Sequence, residues 1–153
     1  MCLLVFNINN FEPLISDKDI LVYKVLKSKE NGWETPVQHQ PVYFYNGVAW
    51  QRSKLKAVPV ETLPCPVVEV GIHAFRSLTD ADLKAMARNI ENIDVFSAII
   101  PAGTEFYIGE YGDIASAALD IYDSKTRPGN NYITVEDFIL EELAKYDSIE
   151  KND

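Results

Sequence analysis

The octapeptide Tyr43-Phe44-Tyr45-Asn46-Gly47-Val48-Ala49-Trp50 constrains the fold of this chain more than any other stretch. Asn-Gly accepts the positive φ angles of a type I′ turn, whose twist matches that of two antiparallel strands. The flanking residues are aromatic or β-branched, so residues 42–45 and 48–50 read as the two arms of a hairpin. A tight hairpin commits this region to an antiparallel sheet and sends alternate side chains to opposite faces. Tyr43, Tyr45 and Trp50, with Trp33 in the preceding segment, are therefore the candidate protein-binding surface. Tyr and Trp are enriched in interface hot spots, although strands use the same residues for cross-strand packing.

Strand-like runs recur on both sides of the hairpin. Residues 2–6 are a short apolar run, and Asp19-Ile20-Leu21-Val22-Tyr23-Lys24-Val25-Leu26 is rich in β-branched and aromatic residues. Residues 28–41 carry turn formers without a period and read as a loop pinned by Trp33. Further strands are expected over 56–61, 67–75, 95–100 and 104–108, the first an edge because Pro59 cannot donate to a ladder. Pro101-Ala102-Gly103 suits a type II turn. Residues 114–122 begin like a helix and end like a strand.

One helix is predicted from a Thr79 cap, with Leu78 stapled against Leu83 and an apolar face of Leu83, Met86, Ala87 and Ile90, ending at Asn92. A second is predicted from a Thr134 cap, with Ile133 and Phe138 as its staple and Phe138, Ile139, Leu143 and Tyr146 toward the core. Strands come in runs and helices do not alternate with them, so the expected class is α+β. The sheet should be mostly antiparallel and curled, of seven or eight strands, with two or three helices. A chain of 153 residues fits one globular domain, placed at 1–146, with 147–153 as a frayed acidic tail.

Charge narrows the partners. A net charge of −9 repels phosphate backbones, and Arg52-Ser53-Lys54-Leu55-Lys56 is the one basic cluster, read as a solvated edge guarded against aggregation. Nucleic acid is not an expected partner. No run of apolar residues is long enough to span a bilayer, and the opening residues lack a basic region before their apolar run, so neither a membrane nor secretion is expected. Cys2 and Cys65 form no metal or redox spacing, which suits a reduced, cytoplasmic setting.

Few constellations carry chemistry. Removal of Met1 would leave the Cys2 thiol beside its own α-amine, the arrangement of an N-terminal nucleophile, while a buried Cys2 opening an apolar strand is the commoner case. His73 has no companions for a metal, and the acids around 109–112 lack calcium-loop spacing. No metal and no cofactor is expected, and no dinucleotide, phosphate-loop or nucleophile-elbow motif is present.

The segments Val68-Glu-Val-Gly-Ile-His-Ala-Phe-Arg-Ser-Leu-Thr-Asp-Ala81 and Ile99-Ile-Pro-Ala-Gly-Thr-Glu-Phe-Tyr-Ile-Gly-Glu-Tyr-Gly-Asp-Ile-Ala-Ser116, with the Met-Cys start and the 19–26 strand, carry a resemblance over most of the chain. They are similar to a family of small uncharacterised proteins of gut Bacteroidota and their phages. That resemblance implies a phage or mobile-element setting, in the host cytoplasm or virion, and no activity. A more distant resemblance is to ADP-ribosyltransferases, carried by Tyr23-Lys24, by residues 71–77, by Pro101-Ala102-Gly103 and by Asp120-Ile121-Tyr122. It implies Lys24, His73 and Asp120 as catalytic candidates, with Lys24 where that family has Arg or His and Asp120 in place of a catalytic Glu. The first expectation is thus a non-enzymatic interaction module that binds a host or virion protein. The second is a transferase-like enzyme, or an inactive relative that binds a nucleotide; it requires Lys24, His73 and Asp120 to converge in one cleft.

Overall fold

The computed structural model describes residues 3–30, 32–36, 38–81, 92–129 and 131–151. The spine is β3 (Asp19–Lys29), whose β-branched and aromatic run is long enough to serve several partners. Along one edge it pairs with β10 (Ile93–Ile100), from Ile20↔Ile100 to Lys27↔Ile93. Along the other it holds β14 (Tyr132–Thr134), then β9 (Ile72–Phe75) at the single pair Tyr23↔Phe75, then β4 (Gly32–Glu34). From β10 the sheet continues to β13 (Ala118–Tyr122) and β6 (Val48–Arg52). From β9 it continues to β12 (Asp113–Ser116), β11 (Glu105–Ile108) and β2 (Leu14–Ile15). With β5 (Pro41–Val42) against β4, this sheet has eleven strands, and only β14 runs parallel to its neighbour. A smaller sheet orders β1 (Leu3–Leu4), β8 (Val67–Val70) and β7 (Lys56–Val58).

The chain is therefore α+β with a large antiparallel sheet, but the described residues hold fourteen strands rather than seven or eight. Six of the fourteen, β1, β2, β4, β5, β7 and β14, are two or three residues long, too short to leave a period in the sequence. Residues 28–41, expected to be a loop, contain β4 and the start of β5, because the long β3 offers backbone for β4 to pair with and β4 in turn pairs with β5.

The main sheet must curl, and connectivity alone forces it. β12 and β13 are joined only by Ala117, yet β9, β3 and β10 lie between them in strand order. Four steps across a flat sheet span roughly 19 Å. Two peptide units reach only about 7 Å. The two halves of the sheet therefore fold toward each other, and side chains from both meet in one cluster that includes Val22, Leu26, Phe96 and Ile121 from one half and Phe106, Ile108 and Ile114 from the other. The helix α1 (Val135–Lys151) closes this cluster with Val135 and Phe138, the Phe138 ring lying 5.2 Å from that of Phe106. A second cluster, Leu3, Val5, Val68, Tyr107 and Ala115, joins the small sheet to the opposite face of β11 and β12.

Local chemistry sets the turns and caps. Asn46 and Gly47 adopt φ of 51° and 84°, and Tyr45 and Val48 exchange backbone hydrogen bonds of 2.9 and 3.1 Å, the type I′ hairpin expected from Asn-Gly. Gly103, at φ 82°, completes the turn closed by Thr104 N–H on the Pro101 carbonyl. Thr134 Oγ1 accepts the Asp137 amide at 3.2 Å and caps α1 as expected. The other cap is displaced. Ser77, not Thr79, accepts the amide three residues on, from Asp80 at 3.1 Å, and residues 78–81 are already helical. Leu83 and the rest of that helix's expected apolar face lie outside the described residues. On α1, Leu143 is 43% exposed rather than in the core, because the buried turn is the first one, carrying Val135 and Phe138.

Candidate functional site

The hairpin that the Asn46-Gly47 turn creates divides its side chains by the strand period. Val42 is buried and the Phe44 ring lies 5.5 Å from Phe96, so both point inward. Tyr43 and Tyr45 point outward and are each 79% exposed. Across the turn Tyr45 pairs with Val48, which shares a strand face with Trp50 and Arg52, and Trp50 is 76% exposed. Three aromatic rings therefore stand in solvent around one tight turn, whose two arms pair, among the described residues, at Tyr45↔Val48 alone. Trp33 is not among them: it is half-buried and meets Phe96 edge-on at 4.9 Å, anchoring β4 to the core. Beside Trp50 the register places Asp120, whose Oδ1 accepts from Arg52 Nη1 at 2.9 Å; the same guanidinium donates to the Gln51 carbonyl at 2.8 Å.

The three transferase-type candidates do not converge. Asp120 pairs with Ile99 and Ile99 with Leu21, so Asp120 projects from the face that carries the odd-numbered residues of β3. Lys24 belongs to the even-numbered set, with Ile20, Val22 and Leu26, and points to the other face. There it is a wedge. The Ser28 amide bonds Asn92, so even positions of β3 direct their amides to β10 and odd ones to β9. A continued β3–β9 ladder would join the Val25 amide to the His73 carbonyl, but the strands part after Tyr23↔Phe75. Lys24 Nζ donates to that carbonyl instead, at 2.5 Å. Burial pulls the Lys24 pKa from 10.5 down to about 8.

His73 thus meets Lys24 through its backbone, while its ring belongs to the opposite sheet face, with Ala115 opposite it. The acid nearest in register to His73 is Asp113, on the neighbouring strand and paired with Phe75, on the same face and buried. Sequence reasoning passed over Asp113 because it follows Gly112 in what reads as a solvated turn. Two open grooves flank α1. One is lined by Leu21, Tyr23, Arg76, Ser77 and Glu136 among others, the second by Ile15, Asp17, Phe138, Glu141 and Lys145 among others; Lys24, His73 and Asp120 line neither.

Cys2 lies outside the described residues. Cys65 is free and buried; burial first, then the charge of Glu110, push its pKa up, which holds it as the unreactive thiol. Among the described residues no group of His, Cys, Asp and Glu is placed to hold a metal ion, and no helix is long and apolar enough to cross a membrane. In comparisons with protein families, curated proteins and solved structures, none matches this chain.

Proposed function

We propose that the chain is a protein-interaction module of a phage or mobile element, acting without a cofactor, and that it contacts a host or virion protein through the outer side of the 42–52 hairpin. One observation carries this reading: Tyr43, Tyr45 and Trp50, on the two arms of one tight turn, are 79%, 79% and 76% exposed. A chain folding for stability alone gains from turning such rings inward, at about 25 cal/mol per Å² of apolar surface covered. Tyr and Trp held by a hairpin also lose little conformational freedom on binding, which is the property of an interface anchor. The test is affinity purification from the native host with the wild-type chain and a Tyr43→Ala/Tyr45→Ala/Trp50→Ala variant as baits. A partner retained by the first and lost from the second supports the reading, and identical sets of retained proteins refute it.

A second reading, an ADP-ribosyltransferase-like cleft or an inactive relative that binds a nucleotide, is favoured by one specific feature. Buried Asp113 shares a sheet face with the His73 ring on the adjacent strand, a carboxylate and an imidazole on one side of the sheet, with Lys24 held on the other side by the His73 carbonyl. Calorimetric titration with NAD separates the two readings. Binding no tighter than millimolar, about −4 kcal/mol, and no NAD turnover above background are expected; micromolar binding abolished by Asp113→Asn promotes the transferase.

A further inference from the structure

Strand β6 ends the main sheet, and among the described residues no strand pairs with its other edge; only the Tyr45–Val48 bridge touches it. The direction of its backbone groups follows from two bonds that bracket the β6–β13 ladder, Ser53 N–H to Ala117 O at 2.8 Å and Asp123 N–H to Gly47 O at 2.9 Å. In an antiparallel ladder bonded positions alternate. Ala49 and Gln51 therefore bond β13, and the amides and carbonyls of Val48, Trp50 and Arg52 point away from it. Those of Val48 are taken by Tyr45, which leaves Trp50 and Arg52 as a pair of open ladder positions under the exposed Trp50 ring.

Exposed edges are usually guarded, and the edge strand of the small sheet shows how. β7 has a register shift between Lys56 and Ala57 and is followed by Pro59, both of which block a further strand. β6 has neither device, its register with β13 being regular over all five residues, and is guarded by charge alone. It is also locally basic on a chain of net charge −9, since Arg52, Lys54 and Lys56 follow one another at its end. Arg52 and Lys56 hold exposed ion pairs with Asp120 and Glu69, and Lys54 is exposed with no ion pair among the described residues.

We infer that β6 is a docking edge at which an extended segment of the protein partner, carrying Asp or Glu, adds as a further strand. This rests on the interaction reading above and gives its partner a chemistry: ladder bonds to Trp50 and Arg52 supply affinity, alternate side chains lie against the aromatic rings, and acids meet the 52–56 cations. The probe is a phage-displayed library of random peptides of about twelve residues, panned on the full chain, a length that covers one added strand. Selected peptides are expected to alternate β-branched or aromatic residues with acids and to lack a central Pro. Methylating alternate backbone nitrogens of the best peptide is expected to weaken it at least about tenfold, about 1.4 kcal/mol, while leaving its side chains intact. Lys54→Glu should weaken it in the same sense. Methylated peptides that bind undiminished, but are still lost with Trp50→Ala, overturn strand addition and leave the aromatic face standing. Selection of basic or Pro-centred peptides, or of none, overturns the inference. So does a dimer of this chain, seen by sedimentation equilibrium, that protects the Trp50 and Arg52 amides from exchange: the edge then serves a second copy.

Discussion

Replacing Lys24 with Met tests whether the wedge between β3 and β9 carries a buried charge through the neutral pH range. The unfolded chain holds this proton up to pH 10.5, and the folded one releases it near pH 8, with burial as the cause. At about 1.4 kcal/mol per pH unit, keeping the charged form inside the fold costs about 3 kcal/mol. The sign follows from proton binding. Below pH 8 both states are protonated and the cost is present in full. Between pH 8 and 10.5 the unfolded chain binds more protons than the folded one, so stability rises with pH, and above 10.5 the cost has gone. Cys65, Tyr107 and Tyr122, whose pKa values burial raises, pull the other way over the upper part of this range, but both proteins contain them and they cancel in the difference. Met fills the volume of the Lys stem and leaves the His73 carbonyl without its donor, a nearly constant offset of about 1–3 kcal/mol. Urea unfolding of both proteins at pH 7, 8, 9 and 10 is the assay. Wild type is expected to gain about 2–3 kcal/mol on the variant between pH 7 and 10; two parallel stability curves refute a buried, titrating Lys24.

The caps give a paired test: Ser77→Ala and Thr134→Ala are each expected to lower stability by about 1 kcal/mol, and Thr79→Ala to leave the urea midpoint in place, because the amide bonds go to Ser77 and Thr134. Gly47→Ala places a methyl group against the Thr126 side chain at φ 84° and is expected to cost more than about 1 kcal/mol, with the 45–48 amides losing hydrogen-exchange protection first.

What was legible in the sequence is what local chemistry decides. The 46–47 turn and the Thr134 cap depend on residues within a few positions of each other, and both stand where the sequence puts them. The first helix start does too, yet the sequence offers two overlapping boxes, Ser77-x-x-Asp80 and Thr79-x-x-Asp82. The choice between them is tertiary: Arg76, one residue ahead of the cap, pairs with both Asp80 and Glu136 of α1, at 3.8 and 3.5 Å. Residues 114–122 looked mixed because β12 is buried at all four positions, which erases the strand alternation. The break within them falls at Ala117, where the chain passes from one half of the sheet to the other. A small residue also marks the one-residue passage from β8 in the small sheet to β9 in the large one, Gly71.

The same division separates the residues behind the two functional readings. Whether Tyr43 and Tyr45 face outward depends on the period of one strand and on which neighbours, Val42 and Phe44, are wanted in the core; a hairpin signal is enough to predict it. Whether Lys24 and Asp120 meet depends on strand order and register across two ladders, β3 with β10 and β10 with β13. In a sheet, one residue of register reverses the face of every side chain in the strand. Had β13 been shifted by one against β10, Asp120 would share a face with Lys24, and no local feature of the sequence would differ. As paired, Asp120 shares His73's face but stands three strands away from it, the carboxylate nearest to His73 in register comes from β12, and Asp120 is left beside Trp50, where it orients Arg52 at the open edge of the sheet. The residue singled out for catalysis by resemblance thus belongs physically to the aromatic face, as the group that holds one of its cations in place.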